Sequence, residues 1–371
     1  MRIVHVSDCY APRSGGIEIQ VRDLARGQVA AGHEVHVLTA TIERDRSPGS
    51  AGEDGVQVHR LGLRLARDVP VNPGAARRMR ALFRQLDPDV VHVHAGVVSP
   101  FAFDGARVAL RAGVPLAITW HCMLDGILPM LRAGVRLSRW RNAPVALSAV
   151  SRVAGERVER VFGRPVSVVP NGIDLQRWVA AVRSDPAAEG PLRCVATMRL
   201  APRKRGPALI DIISVATRQL GPGGIAVQII GGGPAQPIMR RRLRRRGLGD
   251  VVRMRGRLER GRLLEEYERA DVFIAPASLE AFGIAALEAR TAGLVVVGRR
   301  GTGLEEYVTD GVDGLLVDDD AGVARALGEL AQDRELLGSL SRHARKHLPK
   351  QGWAATQEAA MAEYQRAQAL R

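Results

Sequence analysis

Lysine, cysteine and long apolar runs are all scarce in this chain of 371 residues. Its lysines are Lys204, Lys346 and Lys350, so arginine supplies the other 51 of the 54 basic residues. The formal net charge of +15 therefore reflects an arginine bias, and we discount it as a sign of nucleic-acid binding. The three cysteines lie far apart, which argues against a disulfide framework and against a CxxC zinc site.

The hydropathy of the sequence also predicts no membrane-spanning or secretory segment. No apolar run reaches the roughly 18 residues that a transmembrane helix needs. The N-terminal stretch MRIVHVSDCY is typical of a short strand and lacks the extended apolar region of a signal peptide. We therefore expect a cytoplasmic protein without a membrane span.

Short apolar runs alternate with helical stretches along most of the chain. The predicted strands lie at 2–7, 34–40, 57–61, 89–95, 115–121, 144–150 and 166–171, then at 192–198, 225–231, 251–256, 272–276, 294–298 and 314–317. Helices are predicted near 16–31, 74–86 and 353–370. This alternation predicts α/β architecture with parallel sheets covered by helices on both faces.

A chain of this length exceeds what one hydrophobic core usually serves, so we expect two domains. Residues 175–191 contain two Xaa-Pro breaks and no periodicity, and are predicted to be a linker. The first domain would then cover 1–174 and the second 192–352. Every motif discussed below directly follows a predicted strand, so we expect the motifs to line the cleft where ligands bind in open α/β sheets.

The most informative motif is PASLEAFGIAALEAR at 276–290, because Glu280 and Glu288 flank the start of a helix. Glu280 is expected in the loop before Gly283, and Glu288 on the second turn of the helix. Free amides at a helix N-terminus suit a phosphate, and carboxylates suit sugar hydroxyls. The alternative is two surface glutamates.

Three other segments carry candidate ligand-binding residues. Residues 195–206 end a strand on a loop with Arg199 and Lys204, two cations that suit a diphosphate, although a solvated basic loop is the alternative. Residues 11–20 place Gly15 and Gly16 before a helix, either to admit a phosphate or to supply a positive φ. Residues 168–174, VVPNGID, end a strand on a turn.

In this order and at these separations, the four segments resemble the retaining glycosyltransferases of family four, which have the GT-B fold. The resemblance covers nearly the whole chain. It implies two Rossmann-like doubly wound domains that face each other across a cleft, the first binding the acceptor and the second a nucleotide sugar. It also implies that the helix at about 353–371 crosses back to the first domain.

The resemblance also implies site residues. Catalytic roles are expected for His121, Arg199, Lys204 and Glu280. Donor binding is expected for Gly15, Gly16, Arg199, Lys204, Arg257, Glu280, Phe282, Gly283, Ile284 and Glu288. The family pattern places His121 at the donor sugar, although a histidine at a strand end is often structural. A UDP- or GDP-sugar would be the co-substrate, with no other cofactor, and the acceptor stays open.

Two features of the sequence could be interpreted as metal-binding motifs. His92 and His94 alternate on one strand, and we interpret them as packing plus a cleft-facing imidazole. The acidic triplets DPD at 87–89 and DDD at 318–320 fall in turns, and we interpret them as structural. We therefore expect a metal-independent transferase and no metal site.

Two readings remain beside transfer. Another GT-B enzyme, such as a nucleotide-sugar epimerase or a phosphorylase, would keep two sheets, and a non-catalytic sugar-nucleotide-binding or nucleic-acid-binding protein is favoured only by the charge. The arginines of the helix near 74–86 predict a weak preference for anionic membranes or acceptors. RRRLRRR at 240–246 lacks interleaved aromatic residues, so we expect no nucleic-acid partner.

Overall fold

The structure, a computed structural model, describes residues 1–13, 15–42, 50–62, 72–180 and 189–371. They divide into two compact units. The first comprises Met1–Gly172 together with Gln351–Arg371, and the second comprises Ile173–Lys350. None of the helices in the described residues combines the length and the apolar character that crossing a bilayer requires.

The first unit is built on a sheet of eight strands. They are β1 (Arg2–Ser7), β2 (Glu34–Thr39), β3 (Ser50–Glu53), β4 (Val56–Arg60), β5 (Val90–Ala95), β6 (Leu116–Trp120), β7 (Val145–Ala149) and β8 (Ser167–Val168). Their order is β3-β4-β2-β1-β5-β6-β7-β8, and every pair is parallel except β3 with β4. The sheet reverses its direction of growth between β1 and β5.

Helices cover both faces of this sheet because its strands are apolar on both sides. They are α1 (Gly16–Ala30), α2 (Ala75–Leu86), α3 (Pro100–Ala112), α4 (Leu128–Arg136), α5 (Arg152–Phe162) and the C-terminal helix α13 (Trp353–Ala369). One core cluster joins Ile3, Ala117 and Ala146 of the strands to Leu24 of α1 and Tyr364 of α13. The last helix is therefore part of the core of the first unit.

The second unit has a sheet of six parallel strands. They are β9 (Leu192–Thr197), β10 (Ile225–Ile230), β11 (Val252–Gly256), β12 (Val272–Ile274), β13 (Val295–Arg299) and β14 (Gly314–Val317), in the order β11-β10-β9-β12-β13-β14. Its helices are α6 (Leu175–Val179), α7 (Gly206–Leu220), α8 (Gln236–Arg246), α9 (Arg260–Glu268), α10 (Ile284–Thr291), α11 (Asp320–Gln332) and α12 (Arg334–Lys346). The predicted fold class is confirmed: two doubly wound α/β sheets.

The segment predicted as a linker differs from the expectation at its start. Residues 175–179 form α6, because the Asp174 side chain accepts a hydrogen bond from the Arg177 amide at 3.3 Å and caps the helix. Trp178 of α6 is only 2% exposed and packs on Tyr267 with ring centroids 5.4 Å apart. This part of the segment belongs to the second unit, and 181–188 lie outside the described residues.

Candidate functional site

In the second unit, the candidate residues gather where the sheet changes direction. β9 and β12 are hydrogen-bonded neighbours although they are far apart in sequence. In an open parallel sheet, ligands bind at the carboxyl ends of two such strands. The loop after β9 carries Arg199 and Lys204, and the loop after β12 carries Glu280. The topology therefore brings together residues that the sequence separates.

Lys204 and Glu280 form an ion pair at this point. The Lys204 ammonium donates to the Glu280 carboxylate, and the two side chains are 25% and 17% exposed. Lys204 is the last residue of a short 3-10 helix at Pro202–Lys204. A cation and a carboxylate with partial access to solvent can both exchange partners when an anionic ligand arrives.

The loop between Glu280 and α10 is fixed by residues that the sequence reasoning missed. The Gly303 amide donates to the Glu280 carbonyl at 2.8 Å, and the Tyr307 hydroxyl donates to the Gly283 carbonyl at 2.7 Å. Gly283 has φ +84°, and a Cβ there would lie 2.9 Å from the Tyr307 hydroxyl. Residue 303 must be glycine for this close approach, because a Cβ there would lie 2.1 Å from the Ala281 carbonyl oxygen. That glycine is the sign of the contact that the sequence offers.

The helix α10 begins at Ile284, as predicted, with Gly283 at its N-cap. Its first amides have no intrahelical acceptor, so they point out of the helix start. Phe282 is 2% exposed and serves as an apolar anchor beneath that start. The positive end of the helix dipole therefore adjoins the Lys204–Glu280 pair.

Glu288 lies on the second turn of α10 and differs from Glu280 in its environment. Burial raises the pKa of the Glu288 carboxyl to about 7, and the nearby charges of Arg260 and Arg177 oppose that rise only in part. Arg177 comes from α6, which packs on α10. Glu288 is thus held near its titration point, ready to be ionised by a ligand that donates hydrogen bonds.

Arg199 and Arg257 are both exposed, and neither side chain has a hydrogen-bond or ion-pair partner among the described residues. Arg257 follows β11, and its side chain passes over the glycine loop after β10, where a Cβ on Gly232 would lie 3.2 Å from its Nε atom. The loop needs glycine beside it, since Gly231 has φ +133° and a Cβ there would lie 1.9 Å from the Met198 carbonyl oxygen.

The other charges of this region hold the structure together. Arg205 donates to both carboxylate oxygens of Asp320 at 2.7 Å, and Arg299 donates to the same group. Asp319 caps α11 by accepting from the Gly322 amide at 2.6 Å. The acidic triplet at 318–320 is therefore engaged in structural contacts.

In the first unit, Gly15 caps α1 with φ −169°, which is extended backbone open to any residue. The alternative reading of the glycine pair, that the loop needs a positive φ, therefore does not hold for Gly15. A Cβ there would lie 2.3 Å from a carboxylate oxygen of Glu18, but that flexible side chain can move aside, so space does not require glycine either. Glu18 also pairs with Arg13 at 3.6 Å, so a carboxylate already adjoins the start of α1, whose first residue is Gly16.

His121, at the end of β6, is joined to a buried hydrogen-bonded network. Its Nε2 atom lies 3.0 Å from Nδ1 of His94, and Nε2 of His94 lies 3.0 Å from Nδ1 of His5. His5 reaches the Gln28 side-chain oxygen at 2.7 Å through its own Nε2. Burial lowers the pKa of His121 to about 4, although a side-chain hydrogen bond with Asn171 acts the other way.

The network continues beyond Gln28. The Gln28 amide nitrogen donates to the Tyr364 hydroxyl at 2.9 Å, and that oxygen lies 2.9 Å from Nδ1 of His92. Nε2 of His92 lies 2.7 Å from Oγ1 of Thr119, which lies 2.8 Å from Oγ of Ser148. We call these eight residues the histidine network: His121, His94, His5, Gln28, Tyr364, His92, Thr119 and Ser148.

The prediction of a cleft-facing imidazole on β5 is wrong. His92 and His94 are 1% and 3% exposed, because both point into the layer between the sheet and the helices α1 and α13. His5, His92 and His94 lie close enough to hold a metal ion, with ligand atoms within 4.8 Å of one another. Both nitrogens of each ring already have a protein partner, so a metal would have to displace those hydrogen bonds.

A small cavity adjoins the network. Its volume is about 10 Å³, enough for one water molecule, and its lining includes Asn171, His121, His94 and Thr119. Gln20 also lines it and holds the backbone of Gly172 through two hydrogen bonds of 2.7 and 2.8 Å. The turn at Asn171 and Gly172 is thereby tied to α1.

Two family models match the chain, one in each half. Residues 14–177 match the model described as Glycosyltransferase Family 4, and residues 183–347 match the model described as Glycosyl transferases group 1. Together they cover most of the chain and all the candidate residues.

Two relatives are similar to this chain over almost their whole length. The GDP-mannose-dependent alpha-(1-6)-phosphatidylinositol monomannoside mannosyltransferase of Mycobacterium tuberculosis is 28% identical over 359 residues, covering 90% of each chain. The D-inositol 3-phosphate glycosyltransferase of Xylanimonas cellulosilytica is 28% identical over 394 residues, covering 95% of this chain and 93% of that one.

Solved structures share the fold at low identity. HepE of Anabaena, in complex with UDP and glucose, has a TM-score of 0.75 at 17% identity, with 98% of each chain covered. The sucrose-phosphate synthase of Thermosynechococcus elongatus has a TM-score of 0.76 at 18% identity, again with 98% of each chain covered. Both matches support the two-sheet architecture described above.

Proposed function

Because the chain belongs to glycosyltransferase family four and has the GT-B fold, we propose that it transfers a sugar from a nucleotide diphosphate donor to an acceptor hydroxyl, with retention of anomeric configuration and without a metal ion. The observation that carries the proposal is the Lys204–Glu280 ion pair where β9 meets β12. A diphosphate and a sugar are the two ligand groups that this cation and this carboxylate suit.

The nucleotide part of the donor follows from the relatives. One of them is named as GDP-mannose-dependent, and HepE structures contain UDP or UDP-glucose. We therefore propose a UDP- or GDP-sugar as donor. The acceptor-side segments carry no comparable pattern.

Lys204 is the residue that changes partner in this proposal. In the structure it is paired with Glu280. When the donor binds, the diphosphate takes the ammonium, and Arg199 and Arg257 add their unpaired guanidinium groups from neighbouring loops. The released Glu280 carboxylate then accepts hydrogen bonds from the sugar hydroxyls.

Glu288 and the start of α10 hold the remaining parts of the donor. The Glu288 carboxylate accepts hydrogen bonds from both ribose hydroxyls, while the backbone amides of Phe282, Gly283 and Ile284 donate to phosphate or sugar oxygens. From the first unit, the family pattern assigns Gly15 and Gly16 to the diphosphate and His121 to the donor sugar.

The chemical step breaks the bond between the anomeric carbon and the β-phosphate oxygen. The acceptor oxygen forms its bond to the same carbon on the same face of the ring, and the leaving phosphate oxygen takes the acceptor proton. Arg199 and Lys204 stabilise the negative charge that grows on the diphosphate. Such a step needs no metal ion, and we expect full activity in excess chelator; loss of activity with rescue by magnesium or manganese would contradict this part.

The two carboxylates provide the test of the whole assignment. Glu288→Ala should weaken binding of the bare nucleoside diphosphate, whereas Glu280→Ala should spare it and damage use of the complete donor. A charged hydrogen bond is worth roughly 1.5–3 kcal/mol, so each loss should be about ten- to a hundredfold in its own assay. Calorimetry with the nucleoside diphosphate and steady-state transfer with the whole donor measure the two effects.

The outcomes separate clearly. If Glu280→Ala loses the nucleoside diphosphate while Glu288→Ala keeps it, the two roles are reversed. If neither variant changes either assay, the pair is not part of a donor site. The anomeric proton of the product, followed by NMR before mutarotation, decides between retention and inversion.

We also propose a weak preference of α2 for anionic membranes or acceptors. Met79 and Phe83 of this helix are buried, while Arg77, Arg78, Arg80 and Arg84 are exposed and have no ion-pair partner among the described residues. Replacing these four arginines by glutamine should reduce sedimentation with anionic vesicles at low salt.

The exposed arginines of α8 give a matched control, Arg240, Arg241, Arg244 and Arg245. Their replacement should leave vesicle binding in place. An equal loss of vesicle binding from both sets would show that net charge, not α2, causes the binding. Equal sedimentation of the native chain with neutral and anionic vesicles would contradict the proposed preference.

A further inference from the structure

The histidine network contains a residue that fixes where its protons lie. A glutamine side chain has an oxygen that only accepts and a nitrogen that only donates. The Gln28 oxygen lies 2.7 Å from Nε2 of His5, so that nitrogen must carry the proton. The ring is fully buried and neutral, which leaves Nδ1 of His5 bare.

The same reasoning passes from ring to ring. A bare Nδ1 on His5 requires His94 to donate from Nε2 across their 3.0 Å contact, so Nδ1 of His94 is bare. His121 must then donate to it from Nε2, again across 3.0 Å. His121 is therefore the tautomer with its proton on Nε2 and an unprotonated Nδ1.

The part of the histidine network that runs from Gln28 through Tyr364 and His92 to Ser148 also has one order of protons. Tyr364 accepts from Gln28 and donates to Nδ1 of His92, so His92 donates from Nε2 to Thr119. Thr119 donates to Ser148, and Ser148 donates to the Ile118 carbonyl at 3.3 Å. Every ring N–H and every hydroxyl proton of the network finds an acceptor in this order.

The opposite order is incomplete. If the Gln28 amide were turned around, Thr119 would donate to His92, and the single hydroxyl proton of Ser148 would have to serve either Thr119 or the Ile118 carbonyl. One contact is lost in either case. A buried polar contact of this kind costs about 1 kcal/mol, so Thr119 and Ser148 bias the order of the whole network.

We propose that the histidine network is a positioning network, which sets the tautomer of His121 so that it offers an unprotonated Nδ1 as a hydrogen-bond acceptor to a ligand hydroxyl. Asn171 also hydrogen-bonds His121, and because Nε2 of His121 already contacts His94, the ligand hydroxyl would share Nδ1 with Asn171 or replace it there. An amide can match either tautomer by rotating, so Asn171 does not set the order. The amide of Gln28 cannot relay a proton, which excludes a proton channel. The assignment of that hydroxyl to the donor sugar rests on the proposed function.

Thr119→Val tests the network from its far end. The variant keeps the shape of the side chain but leaves Nε2–H of His92 facing a methyl group. Buried N–H groups without acceptors are rarer than unfilled acceptors, so the His92 proton should move to Nδ1. Tyr364, Gln28, His5 and His94 would follow, and His121 should become protonated on Nδ1.

The measurement is the ¹⁵N spectrum of the full chain labelled in its histidines, with the His121 signals identified by their loss in His121→Gln. Protonated and bare ring nitrogens have well-separated shifts. The native chain should show a bare Nδ1 on His121, and Thr119→Val should show the pattern exchanged. Ser148→Ala, which removes the acceptor of the Thr119 proton, should shift His121 in the same direction.

Thr39→Val is the matched control. Thr39 is also a fully buried threonine in the sheet of the first unit, but its hydroxyl contacts Asp8 and Thr41 rather than the network. It should leave the His121 pattern unchanged. A native His121 protonated on Nδ1, an unchanged pattern in both Thr119→Val and Ser148→Ala, or an equal shift in Thr39→Val would each overturn the proposal.

Transfer assays separate this proposal from the proposed function. With the tautomer exchanged, Thr119→Val should use the complete donor about tenfold less well, while binding the nucleoside diphosphate as tightly as the native chain. An exchanged ¹⁵N pattern with unchanged transfer would support the proton order and contradict the role of His121 at the donor sugar.

Discussion

The two units use polar side chains in opposite ways. In the first unit, neutral imidazoles, an amide and hydroxyls satisfy one another in a buried hydrogen-bonded chain that starts at His121. In the second unit, charged groups meet in partly exposed pairs, as Lys204 and Glu280 do. The first arrangement holds a geometry, and the second holds charges that a ligand can redistribute.

This difference follows from burial. An unpaired polar group in the interior costs about 1–3 kcal/mol, so each member of the neutral chain depends on its neighbours. A surface ion pair is worth about 0–1 kcal/mol, so it can open at little cost when a better partner appears. The first unit therefore holds a fixed hydrogen-bond geometry, and the second unit holds charged side chains that can exchange partners.

The largest effect is expected from removing Lys204, the cation of the partly exposed ion pair in the second unit. Lys204→Ala should lower turnover by about 10²–10³-fold, because it removes a cation from the charge that develops on the leaving group. Arg203→Ala is the matched control, since Arg203 is exposed in the same 3-10 helix. Comparable losses in both variants would show that the charge of the loop matters rather than the position of Lys204.

The next effect concerns pH. The pKa of Glu288 is raised to about 7 from its ordinary value of 4.5, so the folded chain holds a proton there that the unfolded chain has lost. Stability should therefore fall as pH rises from about 4.5 to 7 and remain lower above it. Glu288→Gln should remove this penalty and stabilise the chain by about 2 kcal/mol at pH 8, with no gain at pH 4.5.

Thermal unfolding at several pH values measures this difference, with the exposed Glu268→Gln of α9 as control. A gain that does not vary with pH would show that burial of the Glu288 charge is not the cause. The same variant should bind the nucleoside diphosphate less well, so stability and ligand binding should move in opposite directions.

The smallest expected effect compares two buried tyrosines. Tyr364→Phe removes one acceptor and one donor from the neutral chain and should cost about 1–2 kcal/mol, independent of pH between 6 and 8. Tyr307→Phe frees the carbonyls of Phe282 and Gly283 and should cost a similar amount. Only Tyr307→Phe should also weaken nucleoside diphosphate binding; the reverse result would exchange the functions of the two regions.

Much of the fold was predictable because its strands are continuous apolar runs separated by turn residues. β3 was not, since Ser50–Glu53 has no strand pattern and forms by antiparallel pairing at the sheet edge. The position of Glu280 before α10 and of Glu288 on its second turn followed from helix signals around Gly283 alone.

Contacts between distant segments explain what the sequence could not reveal. Lys204 and Glu280 meet only because β9 and β12 are neighbours in the sheet. The network required knowing that His5 is in register with His92 and that Tyr364 returns from the C-terminus. The available signal was His5 in β1, the alternating His92 and His94 in β5, and His121 directly after β6.

The return of α13 to the first unit has a consequence for how the protein is made. Tyr364 and Ala360 cover Ile3 and Ala117 in the core of a sheet whose other parts leave the ribosome first. All of Ile173–Lys350 is translated before Gln351–Arg371 can dock. The N-terminal unit is thus the last to be completed, against the usual order of synthesis, and a nascent chain halted after Lys350 would expose apolar sheet surface that quality-control proteases recognise.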